Sequence, residues 1–260
     1  MKQAFTLIEL AIVLIILGLL AGGVLYGQNL MRAAELRSVA SEFEQYKTAA
    51  ITFKGKYFYL PGDMPNAADF WGFPGGSAGN CPATAGSGTE TCNGDGNGEV
   101  DNLEAADEYN EGYMFWQHMA NANLISGSYT GIAGSGGLND AIVGENVPAA
   151  KISNAGWTMT YWPIMSGDTQ VFDGEYNNFF TFGSKTAGAQ MSSPVFTAEE
   201  MWNIDTKIDD GLPAVGKLVP RNRANCTNAT AAAADSDNFD SVYDVQSTDI
   251  VCAAIFRDSL

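Results

Sequence analysis

From Phe5 to Gly27 the chain is apolar, with one charged side chain, Glu9. About 20 such residues span a bilayer, and in that medium each backbone polar group must find its partner within the segment, so the run is obliged to be a helix. Glu9 is then the anomaly. An ionised carboxylate near a hydrocarbon core costs roughly 2.5 kcal/mol or more, and one that is retained there is usually paired or functional. No proline follows until Pro61, and Leu36, Val39, Ala40, Phe43, Tyr46 and Ala50 recur at helical spacing. One helix is therefore expected from Phe5 to about Lys54, apolar over 5–27 and amphipathic over 28–54, a rod of roughly 75 Å at 1.5 Å per residue.

Ahead of the apolar run stands Met1-Lys2-Gln3-Ala4. A secretory signal peptide carries its small-residue cleavage site after the apolar region. Here the basic, small-residue segment precedes it. This leader followed by Phe5-Thr6-Leu7-Ile8-Glu9-Leu10 resembles the type IV prepilin signature, with Ala4 where the family more often has glycine. The resemblance implies a leader of residues 1–4, removed by a prepilin peptidase that cuts before Phe5 and methylates the new amine. It implies that the Phe5 amine meets Glu9 of a neighbouring subunit in the apolar core of a helical filament. A pair about 4 Å apart there is attractive before desolvation is deducted, and a slipped subunit would bury both charges unpaired, so the pair sets axial register. It further implies an α+β pilin fold in which the long helix packs on an antiparallel sheet of a globular region, residues 55–260. Tyr59 to Ala67, Trp116-Gln117-His118 and Ile125 to Gly131 are similar to a group of large pilin-like proteins and carry no mechanism.

Gly18, Gly22, Gly23 and Gly27 interrupt the apolar half at about 1 kcal/mol each relative to alanine. Two readings fit: close packing of small residues between helices, or local unwinding on assembly, which in many type IV pilins centres on a proline that this chain lacks.

The chain of 260 residues carries 30 acidic residues against 13 basic, one of them the leader's Lys2. Such a surface repels phosphate backbones and makes nucleic acid an unsuitable main partner. Four cysteines in a chain that leads with an export signal point to disulfides. Three connectivities are open; Cys81–Cys92 and Cys226–Cys252 are preferred because each closes a loop of small polar residues. The spacing lacks Cys-x-x-Cys and argues against zinc.

Residues 93–104 read Asn-Gly-Asp-Gly-Asn-Gly-Glu-Val-Asp-Asn-Leu-Glu. Oxygen side chains fall at Asn93, Asp95, Asn97, Glu99, Asp101 and Glu104, with glycine sixth and valine eighth, which matches the calcium loop of EF-hands. Alternate side chains turn toward a hard cation, the glycine permits the turn, and Glu104 can bind through both oxygens. Asn93 replaces the commoner aspartate and predicts affinity in the range of extracellular modules, about 10⁻⁴ to 10⁻³ M. A solvated acidic turn is the competing reading. A helix is expected to leave the loop over Leu103–Asn123, with Tyr113, Phe115, Trp116, Met119 and Leu124 inward and His118 on or beside that face.

Farther on, Trp157–Pro163, Gln170–Phe172 and Asn178–Gly183 read as antiparallel strands. Thr197 and Glu200 form a capping box ahead of a helix. Asp205, Asp209 and Asp210 read as an acidic turn, with a second cation as the alternative. Residues 226–252 are expected to be a mobile outer loop closed by a disulfide, and Asn225 and Asn228 begin glycosylation-type triplets. No Ser-His-Asp set, hydrolase-type histidine cluster or phosphate loop is present, so a non-enzymatic role is expected. The leading class is the subunit of an extracellular type IV pilus-like filament, assembled through an inner-membrane platform and serving adhesion or motility. The alternatives are a pseudopilin of a type II secretion or DNA-uptake system and a membrane-anchored binding module or enzyme.

Overall fold

The computed structural model describes residues 7–74, 88–101, 110–257 and 260. Helix α1 runs unbroken from Leu7 to Tyr57. Its two halves meet different surroundings. From Leu7 to Met31 its large apolar side chains stand exposed, whereas Val39, Phe43, Tyr46, Ala50 and Phe53 are buried at steps of three and four, as the periodicity requires.

That stripe lies on a four-stranded antiparallel sheet of order β1-β2-β4-β3, formed by β1 (Ala155–Met165), β2 (Gly174–Ser184), β3 (Leu218–Arg221) and β4 (Ala253–Phe256). Trp157 pairs with Phe182 and Met159 with Phe180 across β1 and β2, so one face presents aromatics to the helix. Phe43 stacks on Phe256 at 4.3 Å between ring centroids, and Tyr46 meets Trp116 edge-on at 5.0 Å. Each such buried aromatic contributes about 1.5–3 kcal/mol through burial. The opposite face is also covered, by Val171 and Tyr176 packing with Phe179, Val219 and Ile255. Pro163 and Pro220 lie in the outer strands β1 and β3, where a missing ladder donor is tolerated.

Helix α2 (Ala67–Trp71) follows the Pro61–Pro65 turn, and α3 (Glu111–Asn121) packs beside β1. Asn110 caps α3, its side chain accepting from the Tyr113 N–H, so α3 begins at Glu111; Leu103, where the helix was expected to start, lies outside the described residues. Tyr113, Phe115, Trp116 and Met119 face the core as expected, with Leu124 half-buried against it. Helix α4 (Ala198–Ile208) carries the anticipated capping box between Thr197 and Glu200. Glu200 does a second job. Arg32 of α1 donates through Nε and an Nη to both its carboxylate oxygens, at 2.6 and 2.7 Å, and the same guanidinium donates to the Val195 carbonyl.

Two expectations need correction. Gln170–Phe172 is not a strand but part of the connection between β1 and β2, where the Asp168 carboxylate accepts from the Gln170 and Val171 N–H groups and folds the chain back. The 226–252 segment is not a loose loop. The Cys226–Cys252 disulfide is formed, and the segment is wrapped around Arg223, the first residue of the short helix α5 (Arg223–Cys226). The buried Arg223 guanidinium donates to the carbonyls of Val171, Asp168, Thr230 and Ala232. Cys92 is disulfide-bonded as well, and its expected partner Cys81 lies outside the described residues.

Candidate metal centre and assembly helix

The Pro61–Pro65 turn, the 93–101 loop and the start of α3 come together because two glycines let the backbones touch. A Cβ on Gly62, whose φ is +88°, would sit 2.3 Å from the Glu111 carbonyl oxygen, and one on Gly94 would sit 2.4 Å from the Gly62 carbonyl oxygen. No other residue fits either place. The Gly94 N–H donates to the Met64 carbonyl, and Asn178 of β2 pins the loop from the other side, accepting from the Val100 N–H and donating to the Gly98 carbonyl.

This juxtaposition gathers carboxylates. One oxygen each of Asp63, Asp95 and Glu111 lie within 4.8 Å of one another. Asp63 and Glu111 are buried; Asp95 is exposed. Glu111 accepts from the Asp95 and Asp101 N–H groups, and Asp63 Oδ2 accepts from the Gly98 N–H. Asp63 Oδ1 and Asp101 Oδ1 are buried and have no hydrogen-bond partner. Burial and then mutual repulsion push the acids up: Glu111 to about 8, Asp63 to about 6, and Asp101 above its ordinary value through burial and the charges of Asp95 and Glu99.

The six oxygen residues expected to encircle calcium are therefore divided. Asp95 and Asp101 adjoin the cluster. Asn93 instead accepts from the Ala68 N–H at the start of α2, Asn97 is exposed and bonded to Asp95 and the Glu99 N–H, and Glu99 lies against Tyr161. Glu104 lies outside the described residues. Asp63 and Glu111 were missed by the linear pattern. Their only sequence-level signal was the pair of glycines that tight backbone approach demands.

His118 is not a member of this cluster. Its Nδ1 accepts from the Gly62 N–H at 3.0 Å, so the neutral ring carries its proton on Nε2, which lies 2.9 Å from Thr91 Oγ1. Thr91 in turn donates to Gln117, and rings of Phe53 and Trp71 stack on the imidazole. Complete burial lowers its pKa to about 3. It is a packed, satisfied histidine. Asp205, Asp209 and Asp210 also converge, with oxygens within 4.8 Å, and Asp205 accepts from the Tyr243 hydroxyl at 2.9 Å. Burial there pushes Asp205 up to about 7.

The second surface of interest is the N-terminal half of α1. Over 18 residues its mean hydropathy reaches 2.7 with none of that window buried, and exposure is 89% at Leu7 and 64% at Leu25. An added Cβ at Gly18, Gly22, Gly23 or Gly27 meets no atom within 4 Å, so these glycines relieve no crowding inside one chain. Ala4 and Phe5 lie outside the described residues; Glu9 lies on the exposed first turns of the helix.

Residues 1–25 match the family model of the prokaryotic N-terminal methylation motif. No curated protein and no solved structure matches the chain. The motif, the long apolar helix that it opens and the antiparallel sheet on which that helix lies support a type IV pilin-like protein.

Proposed function

We propose that the chain is a non-catalytic structural subunit packed along the shaft of an extracellular type IV pilus-like filament. One observation carries this reading: a single unbroken helix is buried by its own domain over one half and wholly uncovered over the other. Leaving the 16 exposed large apolar side chains between Leu7 and Met31 in water is untenable by any transfer scale. A bilayer covers them before assembly, and the same half of neighbouring subunits covers them afterwards. Prepilin peptidase would release the chain from its leader before Phe5, and the new amine would meet Glu9 of a neighbour, as the methylation motif implies for such proteins. Subunits would pass from the inner membrane through an assembly platform to the surface. The acidic domain, with its net charge of −17 on the full chain, would form the filament exterior.

The test is electron microscopy of filaments sheared from cells, with the chain identified in them by mass spectrometry. Long homopolymers support the reading. Short assemblies retained in the periplasm select a pseudopilin, and a chain that stays monomeric in the membrane selects an anchored binding module.

A further inference from the structure

We propose that Asp63, Asp95 and Glu111, with Asp101 beside them, hold one calcium ion that clasps the Pro61–Pro65 turn, the 93–101 loop and the first turn of α3. The ligand set thus comes from three separate segments rather than from one linear loop.

Four observations converge. Asp63 is 1% exposed, yet its Oδ1 has no hydrogen-bond partner. A buried carboxylate oxygen left without a donor is costly, and native folds resolve it with water, a proton or a cation. Asp101 Oδ1 repeats the same deficit in the same loop. The ligand oxygens of Asp63, Asp95 and Glu111 lie within 4.8 Å of one another, a spread that donors about 2.3–2.6 Å from one shared centre can adopt. Finally, the ion pairs formed by Arg32 and Lys185 lie elsewhere, with Glu35, Glu200 and Asp140, and bring no positive charge to this cluster.

The chemistry narrows the ion. All the donors are oxygens, and the nearby imidazole is already engaged by Gly62 and Thr91. Such a set suits a hard cation. Magnesium demands about 2.0–2.1 Å contacts and near-ideal octahedral geometry, whereas calcium accepts longer and irregular contacts, which suits donors drawn from three separate segments. Asp95 is exposed, which leaves an approach for the ion and for water ligands.

The full-length chain, purified in detergent micelles and stripped with chelator, is titrated with calcium chloride and with magnesium chloride by calorimetry, and its thermal unfolding is followed in each. One calcium ion is expected to bind at least tenfold more tightly than magnesium. Asp63→Asn and Asp95→Asn should each weaken calcium binding at least tenfold; the exposed Asp95 serves where the buried variant fails to fold. Asp63→Asn should also melt at or above the unsubstituted chain in chelator, because a repelling charge is gone, and below it in calcium. That crossing distinguishes a ligand from a structural residue. An Asp63→Asn chain that melts lower under both conditions overturns the proposal. So does unchanged affinity in both variants, and a Glu104→Gln chain that alone loses calcium would return the ion to the linear 93–104 loop. Filament formation is scored separately, so loss of the metal site leaves the assembly reading standing.

Discussion

The indole Nε1 of Trp157 donates to Glu42 Oε2 at 2.9 Å, so a carboxylate of helix α1 is bonded to the first strand of the sheet inside the domain core. Glu42 Oε1 also accepts from the Lys151 N–H, at 3.2 Å. Three segments are thereby tied at one side chain, and the rotation of α1 about its axis is set within its buried half. Glu42→Ala leaves the buried Trp157 indole N–H without a partner, at about 1–3 kcal/mol for a stranded group, and frees the part-buried Lys151 N–H. Glu42→Gln keeps an acceptor for one donor and should lose less. Denaturant unfolding of the chain in micelles, followed by tryptophan fluorescence, reads both; equal midpoints for Glu42→Ala and the unsubstituted chain would remove this role.

His118 supplies a pH dependence. The unfolded imidazole takes a proton below its ordinary 6.5, but the buried ring resists until about 3. The unfolded state therefore binds more protons in that window, and stability from this group is full above pH 6.5 and lost as pH falls toward 3. Glu111, Asp205 and Asp63, whose folded pKa values are raised to about 8, 7 and 6, act in the opposite sense, losing stability as pH rises through those values. The comparison that isolates His118 is the difference between the unsubstituted chain and His118→Gln, measured at pH 4 and at pH 7. The gap should be smaller at pH 4.

Arg223 should be the least replaceable residue of the outer segment. Its removal strands the buried carbonyl of Val171 and frees the part-buried carbonyls of Asp168, Thr230 and Ala232. Arg223→Ala is expected to destabilise the domain by about 3 kcal/mol or more. Lysine keeps the charge but lacks the planar fork, so Arg223→Lys should recover only part of the loss. Hydrogen exchange would show residues 228–243 losing protection first.

Processing and assembly separate at two positions. Ala4→Glu places a bulky charge where a prepilin peptidase would need a small residue, so under the proposed processing full-length precursor should accumulate in membranes, seen as an intact-mass difference. Glu9→Val removes a charge from the apolar helix and should leave insertion unchanged or improved, while filament yield falls or symmetry becomes irregular. Normal filaments from Glu9→Val would exclude the register role.

Features that depend on neighbours in the chain could be read from the sequence, and those that depend on distant partners could not. Thr197 and Glu200 are three apart and their reciprocal bonds follow from helix geometry alone. The apolar stripe through Val39, Phe43 and Tyr46 is likewise a matter of period. Strands β3 and β4, four residues each, are too short for a two-residue alternation to stand out, and they exist because β2 and each other supply their ladders. Asp63 draws no notice within the Tyr59 to Ala67 stretch, because nothing near it in sequence announces the loop that Gly94 brings alongside. Glu111 was passed over in favour of Glu104, which occupies the twelfth position of the linear pattern. Arg223 drew no notice, since its partners are backbone carbonyls and leave no mark in composition.

The Cys226–Cys252 bridge brings two Cα atoms 26 residues apart in sequence to 5.2 Å in space, next to β3 and immediately before β4. Whatever lies between them leaves and returns at one point of the sheet. The register of β4 is consequently insulated from the length of the excursion, and exposed residues such as Asp244 and Ile250 sit on its outer margin. A peptide tag inserted there would be displayed on the domain surface without shifting a single rung of the ladder beneath, which makes this margin a ready place to label the chain while its packing stays as it is.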